Sequence, residues 1–122
     1  MANEISLTAG LSVVKSGQSI SGILSALAIT QSGTNNIGSV QNVGLTSEAL
    51  SIGDVSTIGY LYVKNLDATN FVTIDLNNPA VASSGYATLK AGEAMVVPTR
   101  RTAHYAIADT GACDLLVIAL EL

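Results

Sequence analysis

Short stretches of β-branched, aromatic and aliphatic residues recur along most of this chain, each closed by a cluster of Gly, Asn, Asp, Ser or Thr. They return about every 8 to 12 residues, the spacing of the short strands in a sandwich or jelly roll. A helix would need apolar positions at a 3.6-residue period, with caps at its ends. Only Ile20, Ile23, Leu24 and Leu27 approach that period. The stretch Ile20–Thr30 reads equally as a strand with a bulge at Gly22. Ser and Thr surround it and no cap or charged face accompanies it, which favours the strand. There is no heptad, no βαβ alternation and no internal repeat. The expectation is all-β: a single antiparallel β-sandwich, jelly-roll-like, over residues 1–122, with about eight to ten strands.

Three pairs of stretches read as hairpins. Tyr60–Lys64 and Phe71–Leu76 flank Asn65-Leu66-Asp67-Ala68-Thr69-Asn70, whose polar side chains bond their own backbone in turns. Tyr86–Leu89 and Ala94–Pro98 flank Lys90–Glu93, with Pro98 expected to end the pairing because it has no N–H to donate. His104–Ala108 and Leu115–Leu120 flank Asp109-Thr110-Gly111. Asp54–Thr57 reads as one helical turn capped by Asp54, and Gln31–Asn36 as a loop. Residues 1–16 alternate loosely around Gly10 and carry only Glu4 and Lys15 as charges. They are expected to form an N-terminal arm or an edge strand, whose unpaired backbone groups are a template for association.

Charge narrows the function classes. Only 11% of the 122 residues are charged, while 48% are hydrophobic. An ordinary soluble domain carries about 25% charge, so surface hidden against other protein is expected. A net charge of −4 argues against nucleic acid, which needs a basic stripe. With no apolar run near the ~20 residues of a membrane span, no membrane partner is expected. Met1-Ala2-Asn3-Glu4 does not open a signal peptide, and the lone Cys113 forbids an internal disulfide. Both point to synthesis in a cytoplasm.

Candidate chemistry is sparse. Gly92-Glu93-Ala94-Met95-Val96-Val97-Pro98 matches the Gly-x5-Pro opening of a cupin metal motif, and His104 lies nearby. Arg100 stands where that motif has glycine, however, and His104 is one position late. A transition metal wants three or four converging donors. With one histidine in the chain, Gly92 reads as a turn and His104 as a strand residue. No metal and no cofactor are expected. Cys113 sits beside Asp114, which would raise its thiol pKa, and reads as a packed thiol. Asp67, Asp75, Asp109 and Asp114 fall in or beside turns, where carboxylates cap backbone N–H groups. Arg100 and Arg101 form the one basic cluster and are candidate interface residues, since Arg is favoured in desolvated contacts. Tyr60 and Tyr62 share a strand face and join them as interface candidates. With Tyr86 they could instead line a sugar-binding face, although no flanking Asn, Asp and Trp complete one.

The segment Leu50–Val72, with its run Gly59-Tyr60-Leu61-Tyr62-Val63-Lys64-Asn65-Leu66-Asp67, and the later Leu89-Lys90-Ala91-Gly92-Glu93 and Tyr105-Ala106-Ile107-Ala108-Asp109, resemble small virion structural proteins of tailed bacteriophages. The resemblance covers about Leu50 to Leu120. It implies a non-enzymatic virion protein, a capsid decoration or cement protein that binds the head shell, made in the host cytoplasm. The implied partners are the major capsid protein or another virion protein. Self-association, as a homotrimer, is expected from the low charge and from the threefold axes of viral shells. A tail- or baseplate-attached module, a host-glycan-binding module and a cupin-shaped enzyme are the alternatives.

Overall fold

The computed structural model describes residues 3–81 and 84–122. Among them the regular structure is entirely β. The strands are β1 (Ile5–Lys15), β2 (Gln18–Ile29), β3 (Asn36–Val43), β4 (Glu48–Ala49), β5 (Ile58–Asn65), β6 (Phe71–Asp75), β7 (Ala87–Leu89), β8 (Ala94–Arg101), β9 (Tyr105–Asp109) and β10 (Cys113–Glu121). The chain divides into two compact units, Met1–Gly33 and Thr34–Leu122.

In the larger unit the period-2 pattern buries one side of the two central long strands, β5 and β10. On β5, Leu61, Val63 and Asn65 are buried, while Tyr60, Tyr62 and Lys64 lie on the other face. On β10, Cys113, Leu115, Val117 and Ala119 are buried and alternate with Leu116, Ile118 and Leu120. Two four-stranded antiparallel sheets result, β3-β10-β5-β8 and β4-β9-β6-β7. Their inner faces share one core, built from Val43, Leu61, Val63, Leu115 and Val117 on one side and Val72, Ile74, Leu89, Ala106 and Ala108 on the other. Each fully buried aliphatic side chain contributes about 1.5–3 kcal/mol by leaving water.

The pairing is nested. β3 pairs with β10, β4 with β9, β5 with β8, and β6 with β7. A chain doubled on itself and then rolled gains the lateral pairs β10–β5 and β6–β9. That is the jelly roll, in the sandwich architecture that the alternation predicts.

The three predicted hairpins do not form. Asn65–Asn70, Lys90–Glu93 and Thr110–Ala112 each carry the chain from one sheet to the other, so β5/β6, β7/β8 and β9/β10 lie across the core. Stacked sheets are ~10 Å apart and paired strands ~4.8 Å. A polar connection of this length spans either gap, and the local sequence does not distinguish them. The first crossing is held by buried Asn65, whose Nδ2 donates to Asn70 O and Leu89 O (both 3.0 Å) and whose Oδ1 accepts from Asp67 N (2.9 Å). Pro98 does not end its strand either. It sits opposite Tyr60 within edge strand β8, where a missing N–H costs no ladder bond, and the register slips so that Ile58 faces Arg101. Residues 54–57 form no helical turn. Val55 N donates to Ile52 O (3.1 Å) and closes a simple turn there.

The smaller unit is a two-stranded ribbon. β1 pairs only with β2, so residues 5–15 are not an edge strand of the sandwich. Ser16 and Gly17 join them with φ of 53° and 77°, the two left-handed residues of a type I′ turn. Ile20–Ile29 is therefore strand and not helix. Its bulge is not at Gly22, which pairs with Leu11, but between Leu24 and Leu27, which face Ala9 and Leu7. Ala26 takes a φ of 47° there, and its N–H donates to Thr8 Oγ1 (3.1 Å).

Candidate functional site

The bulge decides what the ribbon presents. Cross-strand partners share a face, and the extra residue at Ser25-Ala26 shifts β2 from odd to even numbering. Ile29 and Leu27 before it, and Leu24, Gly22 and Ile20 after it, thereby fall on one side. They face Ile5, Leu7, Ala9, Leu11 and Val13. The opposite side carries mostly Ser, Thr, Gly and Ala, with Val14 and Ile23. One face is thus continuously apolar until Lys15 and Gln18 at the tip. Ile5 at its base is buried, whereas Leu11 is 83% and Ile20 61% exposed. Between Ile20 and Leu24, Gly22 leaves a shallow groove bordered by Leu11. A single two-stranded ribbon is marginally stable in water, so this apolar face requires cover.

The predicted interface residues lie on the outer face of the β3-β10-β5-β8 sheet. Gly38, Ile118, Tyr62 and Val96 stand in one row across it, and Leu120, Tyr60 and Pro98 in the next. Tyr60 and Tyr62 are half-buried. Arg100 lies with its guanidinium carbon 5.6 Å from the Tyr60 ring centroid, and its Nη1 donates to Gly59 O (2.9 Å) and Thr99 O (2.6 Å). Its charge is partly committed to its own chain. Arg101 is exposed at the end of β8. Tyr60, Tyr62 and Arg100 are thus brought together. Tyr86 is not part of that face, because it leads into β7 of the other sheet, so the three tyrosines form no common groove.

Tyr86 instead belongs to a buried network that no sequence spacing indicates. Its Oη is 2.8 Å from His104 Nδ1, and Thr99 Oγ1 is 3.2 Å from His104 Nε2. The two rings meet edge to face at 5.8 Å. His104 precedes β9 and does not lie within it, contrary to its reading as a strand residue. It is buried, and burial first, then the charge of Arg101, lowers its pKa. Burial, with Asp75 adding to it, pushes the Tyr86 phenol up to about 12. Both ring nitrogens being engaged, His104 braces the connection between β8 and β9. Among the described residues no three His, Cys, Asp or Glu side chains converge as a metal site requires.

The remaining candidates serve the fold. Cys113 is fully buried, with Sγ 3.7 Å from Phe71 O and from Gly111 O, and burial, then Asp67 and Asp114, raise its thiol pKa. Asp67 Oδ2 accepts from Asn70 N (2.6 Å) and Thr69 N (2.9 Å), which lowers its pKa. Asp75 Oδ1 accepts from Leu76 N and Asn77 N. Asp114 accepts from the Asn42 side chain, not from backbone. Glu121, unnoticed in the sequence, accepts from Ser56 N and Oγ through Oε2 and from Thr34 N and Asn35 N through Oε1, and those bonds pull its pKa down to about 2. It ties the last strand to two loops of the sandwich.

Compared with known proteins, the chain matches no family model, no curated protein and no solved structure.

Proposed function

We propose that this chain is a non-enzymatic structural subunit of a phage virion, a decoration or cement protein that docks on the head shell and associates with its own copies. The observation that carries the reading is the ribbon, whose β1 and β2 (11 and 12 residues) hold one uncharged apolar face largely open to solvent. An element of that kind gains stability only by giving its surface to another protein. Three further features support the reading. The resemblance over Leu50–Leu120 supplies the setting. Few charges mean a small desolvation penalty at a contact. The chain's one histidine is spent on bracing the sandwich. Attachment at the tail or baseplate is the competing location. The host-glycan alternative loses support because Tyr86 leads into the other sheet and is hydrogen-bonded to His104, apart from the sheet that carries Tyr60 and Tyr62.

Co-sedimentation tests the proposal. Purified chain mixed with head shells is expected to pellet at a fixed, saturable ratio per capsid subunit and to stabilise the shells against heat. Failure to pellet with shells, with stoichiometric recovery on purified tails, moves the protein to the tail. Failure on both overturns the virion reading.

A further inference from the structure

The apolar ribbon face is self-complementary, and we infer that it packs face to face against the same ribbon of a second copy of this chain, around a two-fold axis parallel to the strands. This rests on the reading above only in treating the ribbon as an assembly element.

The rungs specify the partner. Leu11, the most exposed large hydrophobic side chain of the described residues, stands directly across from Gly22, which has none. One rung nearer the base, small Ala9 stands across from Leu24. A two-fold axis along the ribbon lays β1 of one copy over β2 of the other at the same level. Leu11 then enters the partner's Gly22 notch, and Leu24 covers the partner's Ala9. At both of these rungs the match is made twice, once in each direction, as an isologous interface demands, while the rungs Ile5–Ile29, Leu7–Leu27 and Val13–Ile20 set large aliphatic side chains over one another. At the tip, Lys15 meets the partner's Gln18, so no like charges oppose one another. Threefold packing would set each face against two different neighbours and lose the match.

The area suffices. An 11-residue strand is ~37 Å long at ~3.4 Å per residue, and two strands make a face ~10 Å wide. Two corrugated faces of that size at the ~10 Å sheet-packing distance bury on the order of 1,000 Å² together, the threshold for a specific interface. A lone marginal ribbon becomes a four-stranded, two-layer unit with an apolar interior.

Sedimentation equilibrium on the full chain, without shells, tests this. The wild type is expected to be dimeric. Leu11→Asp is expected to weaken the dimer by at least about thirtyfold, the scale of a hot-spot residue. Gly22→Leu should weaken it similarly by filling the notch. A Cβ at Gly22 meets nothing within 4 Å in the single chain, so that variant keeps its fold. Combining Leu11→Ala with Gly22→Leu exchanges knob and notch, and should restore the dimer. Val14→Asp, on the opposite face, should leave it unchanged. A trimer, a Val14→Asp effect equal to that of Leu11→Asp, or no rescue by the double variant would overturn the pairing. A wild type that stays monomeric at about 100 μM yet pellets with shells would also overturn it, while leaving the virion reading in place. A dimer that ignores shells would do the reverse.

Discussion

The sandwich and the ribbon are built from the same residue types and end in opposite states. Both alternate aliphatic residues with Ser, Thr and Gly. In the sandwich Leu61, Val63, Leu115 and Val117 are completely buried, whereas in the ribbon Leu11 and Val14 are more than four-fifths exposed. The difference is the layer count. A sheet hides its apolar face only against a second layer, and β3–β10 supply two sheets while β1 and β2 supply one narrow ribbon. An apolar face is therefore no sign of a core by itself. What it becomes depends on whether the chain brings another face to it.

The largest effect should separate the two regions outright. Val63→Asp or Ile74→Asp places a carboxylate at a fully buried position, which costs several kcal/mol and is expected to abolish the cooperative thermal transition in circular dichroism. Deleting Ala2–Gly10 removes about half of β1 and should leave the sandwich's melting transition close to that of the full chain, while shell pelleting and self-association are lost. If the deletion melts the fold as badly as the core substitutions, the ribbon is part of the sandwich's stability and the contrast fails.

A middle-sized effect probes how the sandwich closes. Asn65→Ala strips Asn70 O, Leu89 O and Asp67 N of their partner at the first crossing between the sheets. Buried groups left unpaired cost about 1–3 kcal/mol. The urea midpoint should fall accordingly, with the slope m unchanged because the surface exposed on unfolding is the same. The same substitution should not alter ribbon-mediated association. A parallel loss of both would mean that the two regions fold as one.

How much of this was legible in the sequence follows from the range of each interaction. Alternation is local, so the strands at Tyr60–Lys64, Phe71–Leu76, Ala94–Pro98 and Leu115–Leu120 could be read directly. Pairing is not local. Leu116 pairs with Val40 and Tyr62 with Val96, and nothing near either residue names its partner, so the nested order was missed and three hairpins were expected in its place. The ribbon was half legible. Its apolar residues were visible, but the parity change across Ser25-Ala26 imitated helical spacing, and only the bulge resolves it into one continuous face. The buried network of Tyr86, Thr99 and His104 joins residues 18 and 5 positions apart. It left no spacing signal at all. The bonds of Arg100 to Gly59 O and Thr99 O have no spacing signal either, because the strand pairing that brings Gly59 to Arg100 is not local.

The smallest expected effect lies in the pH dependence, which belongs to the sandwich and not to the ribbon. His104 titrates below its ordinary value of 6.5 when folded, because burial and then Arg101 disfavour the imidazolium. As pH falls through 6.5 the unfolded chain takes up a proton that the folded chain refuses, so the unfolded state binds more protons and stability declines with falling pH. The loss begins near 6.5 and continues down to the lowered folded value. The carboxylates held low by hydrogen bonds, Glu121 and Asp67, add their own losses only further down, below their ordinary 4.5 and 3.8. At the alkaline end the sign reverses. Folded Tyr86 keeps its proton to about 12 while the unfolded phenol releases it near 10, so stability falls as pH rises across that interval. Urea midpoints are expected to be flat from pH 7 to 9 and to decline on both sides. His104→Gln should remove the slope just below 6.5, and Tyr86→Phe should shrink the slope above 10, leaving the part that Cys113, whose thiol burial also raises above 9.0, contributes from about 9 upward. Because the ribbon face carries no titrating group before Lys15 at its tip, the dimer dissociation constant should stay unchanged between pH 5.5 and 7.5 while the sandwich weakens. A dissociation constant that tracked the His104 slope would show that ribbon association depends on the state of the sandwich.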